Sequence, residues 1–191
     1  MTVQRMLPTT EAEELIGLTR DIADGDLAPR VDDFEARGEF PRELFRLLGS
    51  AGLLGLPYPE EYGGGGQPYE VYLQVLETLA GHWLAIAEAV SVHTLACYPV
   101  YAHGSERQRK LLPDLLGGEL LGAYCLSEPQ GGSDAAHLAT RATRDGEDWG
   151  VSGTKAWITH AGQADFYNVF CRTGGDGVER LNTLHTDLVT L

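Results

Sequence analysis

The stretch that decides the interpretation is Tyr124-Cys125-Leu126-Ser127-Glu128-Pro129-Gln130-Gly131-Gly132-Ser133-Asp134, with Lys155-Ala156-Trp157-Ile158-Thr159 further along the chain. In the first segment an apolar run is followed by Ser127, Glu128 and Pro129, that is, by a hydroxyl, a carboxylate and a proline. That order predicts a strand that runs out into a loop. Gly131 and Gly132 carry no Cβ, so a ligand can approach their backbone N–H groups, and Ser133 adds a hydroxyl beside them. The loop therefore suits a phosphate or another anion.

The second segment predicts a platform for a flat ring. Gly153-Thr154 indicates a turn, and Lys155 to Ile158 is typical of a short strand that ends at Thr159. Trp157 places an indole between aliphatic neighbours, and an indole stacks on flat rings. Each residue taken singly also has an ordinary interpretation, with Trp157 in the core, Ser127 and Thr159 as hydrogen bonders at strand ends, and the glycines as a turn.

Together the two segments resemble the flavin-binding signature of the acyl-CoA dehydrogenase family. Two upstream segments, 52–64 and 104–110, also resemble segments of that family, so the resemblance covers residues 40–174. Gly131-Gly132-Ser133-Asp134 alone would be a common turn. Four matching segments in the same order are far more specific.

The resemblance implies FAD as the cofactor and gives roles to named residues. Donors around Leu126 and Ser127 would meet the pyrimidine edge of the flavin, Thr159 would donate to N5, and Trp157 would lie against the ring. Gly131, Gly132 and Ser133 would reach the pyrophosphate, and Ser133 would also contact the thioester substrate. The expected cofactor-binding set is Tyr124, Cys125, Leu126, Ser127, Gly131, Gly132, Ser133, Trp157, Ile158 and Thr159.

The implied activity is the α,β-dehydrogenation of an acyl-CoA thioester, with hydride transfer to flavin N5. In this family the catalytic carboxylate comes from a C-terminal helical domain, and no position here matches it, so no catalytic residue is predicted. Glu128 is expected to form a structural ion pair. The resemblance also implies electron-transfer flavoprotein or another electron acceptor, and a homo-oligomer at full length. Two alternatives stay open: a catalytically inactive interaction module, and a flavin monooxygenase or nitroalkane oxidase-like member.

Hydrophobic periodicity predicts an α+β chain, with helices first and strands after them. Residues 1–119 are predicted to form an all-α domain, and residues 120–191 an antiparallel β-barrel-like domain. Thr10 with Glu13 and Ser105 with Gln108 predict capping boxes, and Asp145-Gly146 predicts a hairpin turn. The expected buried face of one helix comprises Tyr69, Tyr72, Leu73, Leu76, Leu79 and Ala80, and residues 83–101 are expected to form a helix buried all round.

Residues 175–191 show no pattern of the family, whose members are roughly twice as long by resemblance. We therefore expect a truncated or frame-shifted product, in which residues 120–191 form an incomplete domain. His160 is a second departure, because many members have asparagine there, and it makes the substrate subclass less certain.

The composition argues against several other classes of protein. A net charge of −14 repels nucleic acid and anionic lipid. Cys97, Cys125 and Cys171 lie in apolar stretches without metal-ligand spacing, which is typical of buried thiols in a reducing compartment. His93 is expected to be a hydrogen-bonded core residue. We expect neither a signal peptide nor a membrane span, and a cytoplasmic protein.

Overall fold

The computed structural model describes residues 7–174 and the backbone of residues 181–187. Its helices are α1 (Thr10–Ile22), which continues into a π-helical turn (Ala23–Leu27), α2 (Val31–Arg37), α3 (Arg42–Ser50), α4 (Tyr69–Ala80), α5 (Leu84–His103), α6 (Glu106–Arg109) and α7 (Leu112–Leu116). The strands are β1 (Gly122–Cys125), β2 (Arg141–Asp145), β3 (Asp148–Ser152), β4 (Phe166–Arg172) and β5 (Leu181–Asp187). The predicted α+β order is confirmed.

At α1 and α6 the helix begins where a side chain satisfies a free backbone N–H group. The Ser105–Gln108 capping box is present at the start of α6, as predicted. The first helix is capped one residue earlier than predicted, because the hydroxyl of Thr9 accepts a hydrogen bond from the amide of Ala12 at 3.1 Å. α3 begins directly after Pro41. The sequence therefore located the starts of α1 and α6 to within a residue.

α5 is the element around which the other helices pack. It contacts α4 on one side and β1 on the other, and Ile86, Val90, Cys97 and Val100 on it are buried. By length and composition this helix is a candidate membrane span, whereas the sequence analysis expected none. Of the apolar window on which that candidacy rests, 56% is buried against the rest of the protein. The helix is therefore accounted for as the core of the helical layer.

The buried face of α4 is offset from the predicted one. Val71, Tyr72, Val75 and Leu79 are buried, whereas Tyr69 and Leu73 are exposed to 60% and 58%. The predicted burial of Tyr69 and Leu73 is therefore wrong. The apolar stripe on α4 is wider than the surface that α1 and α5 cover, so one edge of it faces solvent.

The sheet is mixed, whereas an antiparallel one was predicted. β1 and β4 are parallel, with Gly122 opposite Phe166, and the long connection between them leaves room for a crossover. β2 and β3 form the predicted antiparallel hairpin, with Gly146 at φ 61° in its turn. β2 meets β4 in parallel at a single pair, Arg141 with Arg172.

The segment after Gly174 contributes a strand, contrary to expectation. Residues 181–187 form β5, which pairs antiparallel with the whole of β4. The expectation that this segment lacks a sheet pattern is therefore wrong for these residues. Residues 175–180 and 188–191 lie outside the described part of the chain.

A polar cluster around Arg42 joins the helical layer to the sheet. Arg42 on α3 donates to the backbone carbonyls of Glu119 and Gln163 and forms an ion pair with Asp165 just before β4. Asp165 also accepts a hydrogen bond from the amide of Leu121 at 2.8 Å. Because the fixed fork of a guanidinium reaches three acceptors at once, this cluster sets where β1 and β4 begin.

Candidate functional site

Glu128 is the buried centre of the first segment. Its carboxylate is 4% exposed and accepts hydrogen bonds from the amides of Ala139 (2.6 Å) and Thr140 (3.0 Å). The ammonium of Lys155 donates to it at 2.8 Å. Burial by itself would raise the pKa of this carboxyl, but these hydrogen bonds outweigh burial and lower the pKa to about 2. The predicted structural ion pair of Glu128 is confirmed.

This ion pair holds the two predicted segments side by side. Lys155 also donates to the carbonyl of Leu126 at 3.0 Å, and the amide of Ala156 donates to the carbonyl of Ser127 at 2.9 Å. The structure therefore brings together the strand-end loop and the tryptophan segment, although they are far apart in sequence.

The glycine loop is only partly open to a ligand. Glu128 and Gly131 exchange two backbone hydrogen bonds, of 2.7 and 3.0 Å, so the amide of Gly131 is occupied. Gly132 lies against Ser127, and a Cβ at this position would come within 3.1 Å of the Ser127 hydroxyl. In the described part of the chain the amides of Gly132 and Ser133 donate to no carbonyl. Two of the three predicted pyrophosphate donors are thus available.

The second segment is not the strand that was predicted. Residues 153–158 form an irregular loop, in which Trp157 has φ 58°. A bulky residue in the left-handed region costs energy, and such strain is found at functional sites. The indole of Trp157 is 92% exposed, so the interpretation of Trp157 as a core residue is wrong. The exposed indole is thus free to stack on another flat ring.

Thr159 points toward the helical layer. Its hydroxyl donates to the carboxylate of Glu88 on α5, with 3.1 Å between the oxygens. The sequence analysis missed Glu88, although it is the only Asp, Glu, Lys or Arg in the α5 sequence. A single acid in an otherwise apolar helix was the signal that could have identified it.

Two buried histidines fix the start of β1. The amide of Gly122 donates to Nδ1 of His93 at 3.0 Å, and Nε2 of His93 lies 2.8 Å from the carbonyl of Leu115. On the other side, Nδ1 of His160 donates to the carbonyl of Gly122 at 2.9 Å. Burial lowers the pKa of both imidazoles, that of His93 to about 4, so both stay neutral at pH 7. The expectation for His93 is confirmed.

The other predicted residues of the first segment are Tyr124, Cys125 and Leu126, and the side chains of the first two pack against neighbouring residues. Cys125 is buried beside Ile158 and Tyr167, and burial raises its thiol pKa to about 11, so the thiol is not a reactive group. Tyr124 packs its ring on Phe170, with centroids 4.8 Å apart. With Leu126, these residues would reach a cofactor through their backbone. In the described part of the chain no cluster of three possible metal ligands occurs.

The arrangement fits a flat cofactor that carries a pyrophosphate. Trp157 offers an uncovered ring, and the amides of Gly132 and Ser133 donate to no carbonyl among the described residues. At the other end Thr159 supplies a hydroxyl, whose single proton is donated to Glu88 in this structure. These are the donor types that an isoalloxazine edge and a phosphate oxygen require.

Comparison with protein families gives two adjoining matches. Residues 9–119 match the profile described as "Acyl-CoA dehydrogenase, N-terminal domain", and residues 123–190 match "Acyl-CoA dehydrogenase, middle domain". The second match extends through residues 175–190, where the sequence analysis found no family pattern.

Individual proteins and solved structures agree with these matches. An acyl-CoA dehydrogenase of Bacillus subtilis (strain 168) is 36% identical over 170 residues, which are 88% of this chain and 45% of that protein. A glutaryl-CoA dehydrogenase of Mycobacterium smegmatis in complex with FADH2 superimposes with a TM-score of 0.87 at 32% identity, over 95% of this chain and 46% of that one. A chain in the structure of the electron transferring flavoprotein of Acidaminococcus fermentans superimposes with a TM-score of 0.89 at 28% identity. The superposition covers 98% of this chain and 50% of that one. The chain thus spans about half the length of these proteins.

Proposed function

Because the chain belongs to the acyl-CoA dehydrogenase family, we propose that it binds FAD and takes part in the α,β-dehydrogenation of an acyl-CoA thioester. The observation that carries the proposal is the contact between the two segments, in which Ala156 bonds to Ser127 while Trp157 stays uncovered. The complex of a similar protein with FADH2 supports the choice of cofactor.

The residues of this chain have distinct roles in the proposed site. The amides of Gly132 and Ser133 would hold the pyrophosphate, and Ser127 and the backbone around Leu126 would meet the pyrimidine edge. The Thr159 hydroxyl would turn from Glu88 to donate to N5, and Trp157 would cover one face of the ring. Ser133 would also contact the thioester. When bound, FAD supplies an electron sink that accepts a hydride from the β-carbon of the acyl group.

The rest of the proposal concerns the whole protein. We assign no residue of this chain as the base that removes the α-proton, since no position in it matches the carboxylate that the family takes from its C-terminal helices. The likeness to a chain in an electron transferring flavoprotein structure supports such a flavoprotein as the electron acceptor. We also propose a division of the chain after residue 119, assembly into a homo-oligomer and a cytoplasmic location.

Flavin binding is tested by titrating FAD into the purified chain while following tryptophan emission. Trp157 is to be compared with Trp149, which lies on β3 and is 38% exposed. The wild type and the Trp149→Phe variant should show saturable quenching, and Trp157→Phe should lose most of it, because only Trp157 would touch the ring. Equal quenching in all three proteins, or no saturable binding to the wild type, would contradict the proposal.

A further inference from the structure

A groove between α2 and the start of α5 shares no residue with the proposed flavin site. Three aromatic side chains line it, Phe34, Phe40 and Trp83, together with the carboxylates of Glu35 and Glu39. Its volume is about 300 Å³, at the lower end of the range for small-molecule sites. Aromatic rings and carboxylates are the two kinds of group that attract an organic cation.

The three rings are held in place by the fold. Trp83 is 6% exposed, whereas Phe34 and Phe40 are half-buried, so the indole is the deepest of the three. The centroids of Phe34 and Trp83 are 6.0 Å apart, and Phe45 stacks on Phe40 with centroids 5.2 Å apart. Since a cation is attracted to an aromatic ring from up to about 6 Å, one ion can interact with both Phe34 and Trp83.

Glu35 supplies a negative charge beside these rings. Its carboxylate accepts a hydrogen bond from Nε1 of Trp83 at 2.7 Å, which holds the carboxylate next to the indole. The indole is a neutral donor, and Glu35 forms no ion pair among the residues that the structure describes. Residues 31–41 contain four acidic side chains and one arginine, so the whole segment is negatively charged. The groove is therefore complementary to a cation.

An arginine of the chain shows how a cation is received at the rim of the groove. Cζ of Arg37 lies 5.1 Å from the centroid of the Phe34 ring, and Nε of Arg37 donates to the carboxylate of Glu39 at 2.8 Å. One cation thus contacts an aromatic ring and a carboxylate at the same time. Arg37 is not among the residues that line the groove, so Glu35 and the space beside it are left for a second cation.

We infer that this groove binds a small quaternary alkylammonium ion, whose methyl groups pack against the rings and whose charge is balanced by Glu35. A metal ion or a primary ammonium holds its water strongly, and aromatic rings do not replace that water. A methylated nitrogen has no N–H group to satisfy, so it enters such a groove at a lower desolvation cost. An anion would be repelled by Glu35 and Glu39. The inference goes beyond the proposed function and does not depend on FAD.

The test compares tetramethylammonium with tert-butyl alcohol in NMR titrations of the full chain. Both molecules are compact and carry methyl groups, but only the first is charged. The indole N–H signal of Trp83 is followed because that group donates to Glu35. Trp149→Phe and Trp157→Phe identify the signals of the other two tryptophans, which serve as internal controls. The wild type should bind the cation roughly tenfold more tightly than the alcohol, with a shift at Trp83 alone.

A pair of matched variants tests the role of Glu35. Glu35→Gln keeps an acceptor for the indole of Trp83 but removes the charge, so the preference for the cation should fall to about threefold or less. Asp33→Asn removes one charge from the same helix outside the groove and should keep the wild-type preference.

Four results would overturn the inference. They are equal binding of both probes by the wild type, no binding of either probe, no shift of the Trp83 signal, and an equal loss of preference in Asp33→Asn and Glu35→Gln. The first three are read from the wild type, so they do not depend on how well a variant folds. None of these measurements needs FAD, so a failure of flavin binding is seen separately.

Discussion

Two tryptophans show how differently the helical layer and the site segments are built. Trp83, at the start of α5, is 6% exposed, donates to Glu35 through Nε1 at 2.7 Å and packs near Phe34. Trp157 is 92% exposed and sits on a backbone with positive φ. The same side chain stabilises the fold in one region, whereas in the other region it adds little apart from strain.

The difference between these two tryptophans separates the residues that stabilise the fold from those that are available for binding. The helical layer buries most of its large apolar side chains, so packing accounts for much of its sequence. The site segments leave a ring and two amides uncovered, held in place by a small number of buried contacts. An unsatisfied, strained surface on a fixed support is the arrangement that binding requires.

The largest expected effect comes from removing the buried support. Glu128→Ala leaves the ammonium of Lys155 buried without its carboxylate and removes the acceptor of the Ala139 and Thr140 amides. We expect the free energy of unfolding to fall by about 3–5 kcal/mol, measured by urea denaturation. FAD binding should be lost in the same variant, because the two segments separate.

Two control variants separate the effect of the Glu128 charge from that of losing its side chain. Glu128→Gln retains an acceptor oxygen and should fall between the wild type and Glu128→Ala. Arg37 and Glu39 form an exposed ion pair, and Glu39→Ala should cost less than about 1 kcal/mol. If Glu128→Ala is as mild as Glu39→Ala, the two segments are held together by something other than this pair.

The next effect is a pH dependence that originates in the helical layer. In the unfolded chain His93 takes up a proton near pH 6.5, whereas burial lowers the folded pKa to about 4. The unfolded state therefore binds more protons between these values, and stability is complete above pH 6.5 and falls as the pH drops toward 4. The loss should be about 3 kcal/mol, followed by urea denaturation at a series of pH values.

His93→Gln tests the assignment of that pH dependence. Glutamine supplies one acceptor for the amide of Gly122 and one donor for the carbonyl of Leu115, but it does not titrate. The slope between pH 6.5 and 4.5 should be reduced, with a remainder from His160, whose pKa is lowered in the same direction. An unchanged slope would place the titration elsewhere.

The helical layer was largely predictable from the sequence because its signals are local. Capping residues, prolines and 3.6-residue periodicity gave α5 and the Ser105 capping box, and Asp145-Gly146 gave the β2–β3 hairpin. The predicted buried face of α4 was wrong at Tyr69 and Leu73. Periodicity shows where apolar residues lie on a helix, but not how much of that apolar stripe a neighbouring element covers.

The sequence suggested the two segments of the candidate site but not the contacts that join them. Glu88, and the clamp of Gly122 between His93 and His160, depend on contacts between distant residues, which no local pattern contains. The parallel pairing of β1 with β4 is equally non-local. The loop at Trp157 was predicted as a strand because its composition favours one, and tertiary contacts through Lys155 and His160 override that preference.

The smallest expected effect is also the one that tests the comparison most directly. Trp157→Gly removes a large aromatic side chain, yet almost none of that side chain is buried, and glycine adopts φ 58° without a steric penalty. The free energy of unfolding should therefore stay the same or rise by up to about 1 kcal/mol, the strain of one left-handed residue. Trp83→Ala, at the buried counterpart, should instead cost about 3–5 kcal/mol. Should Trp157→Gly destabilise the chain by anything near that amount, the indole is packed in solution, and the contrast between a satisfied helical layer and an open site would be lost.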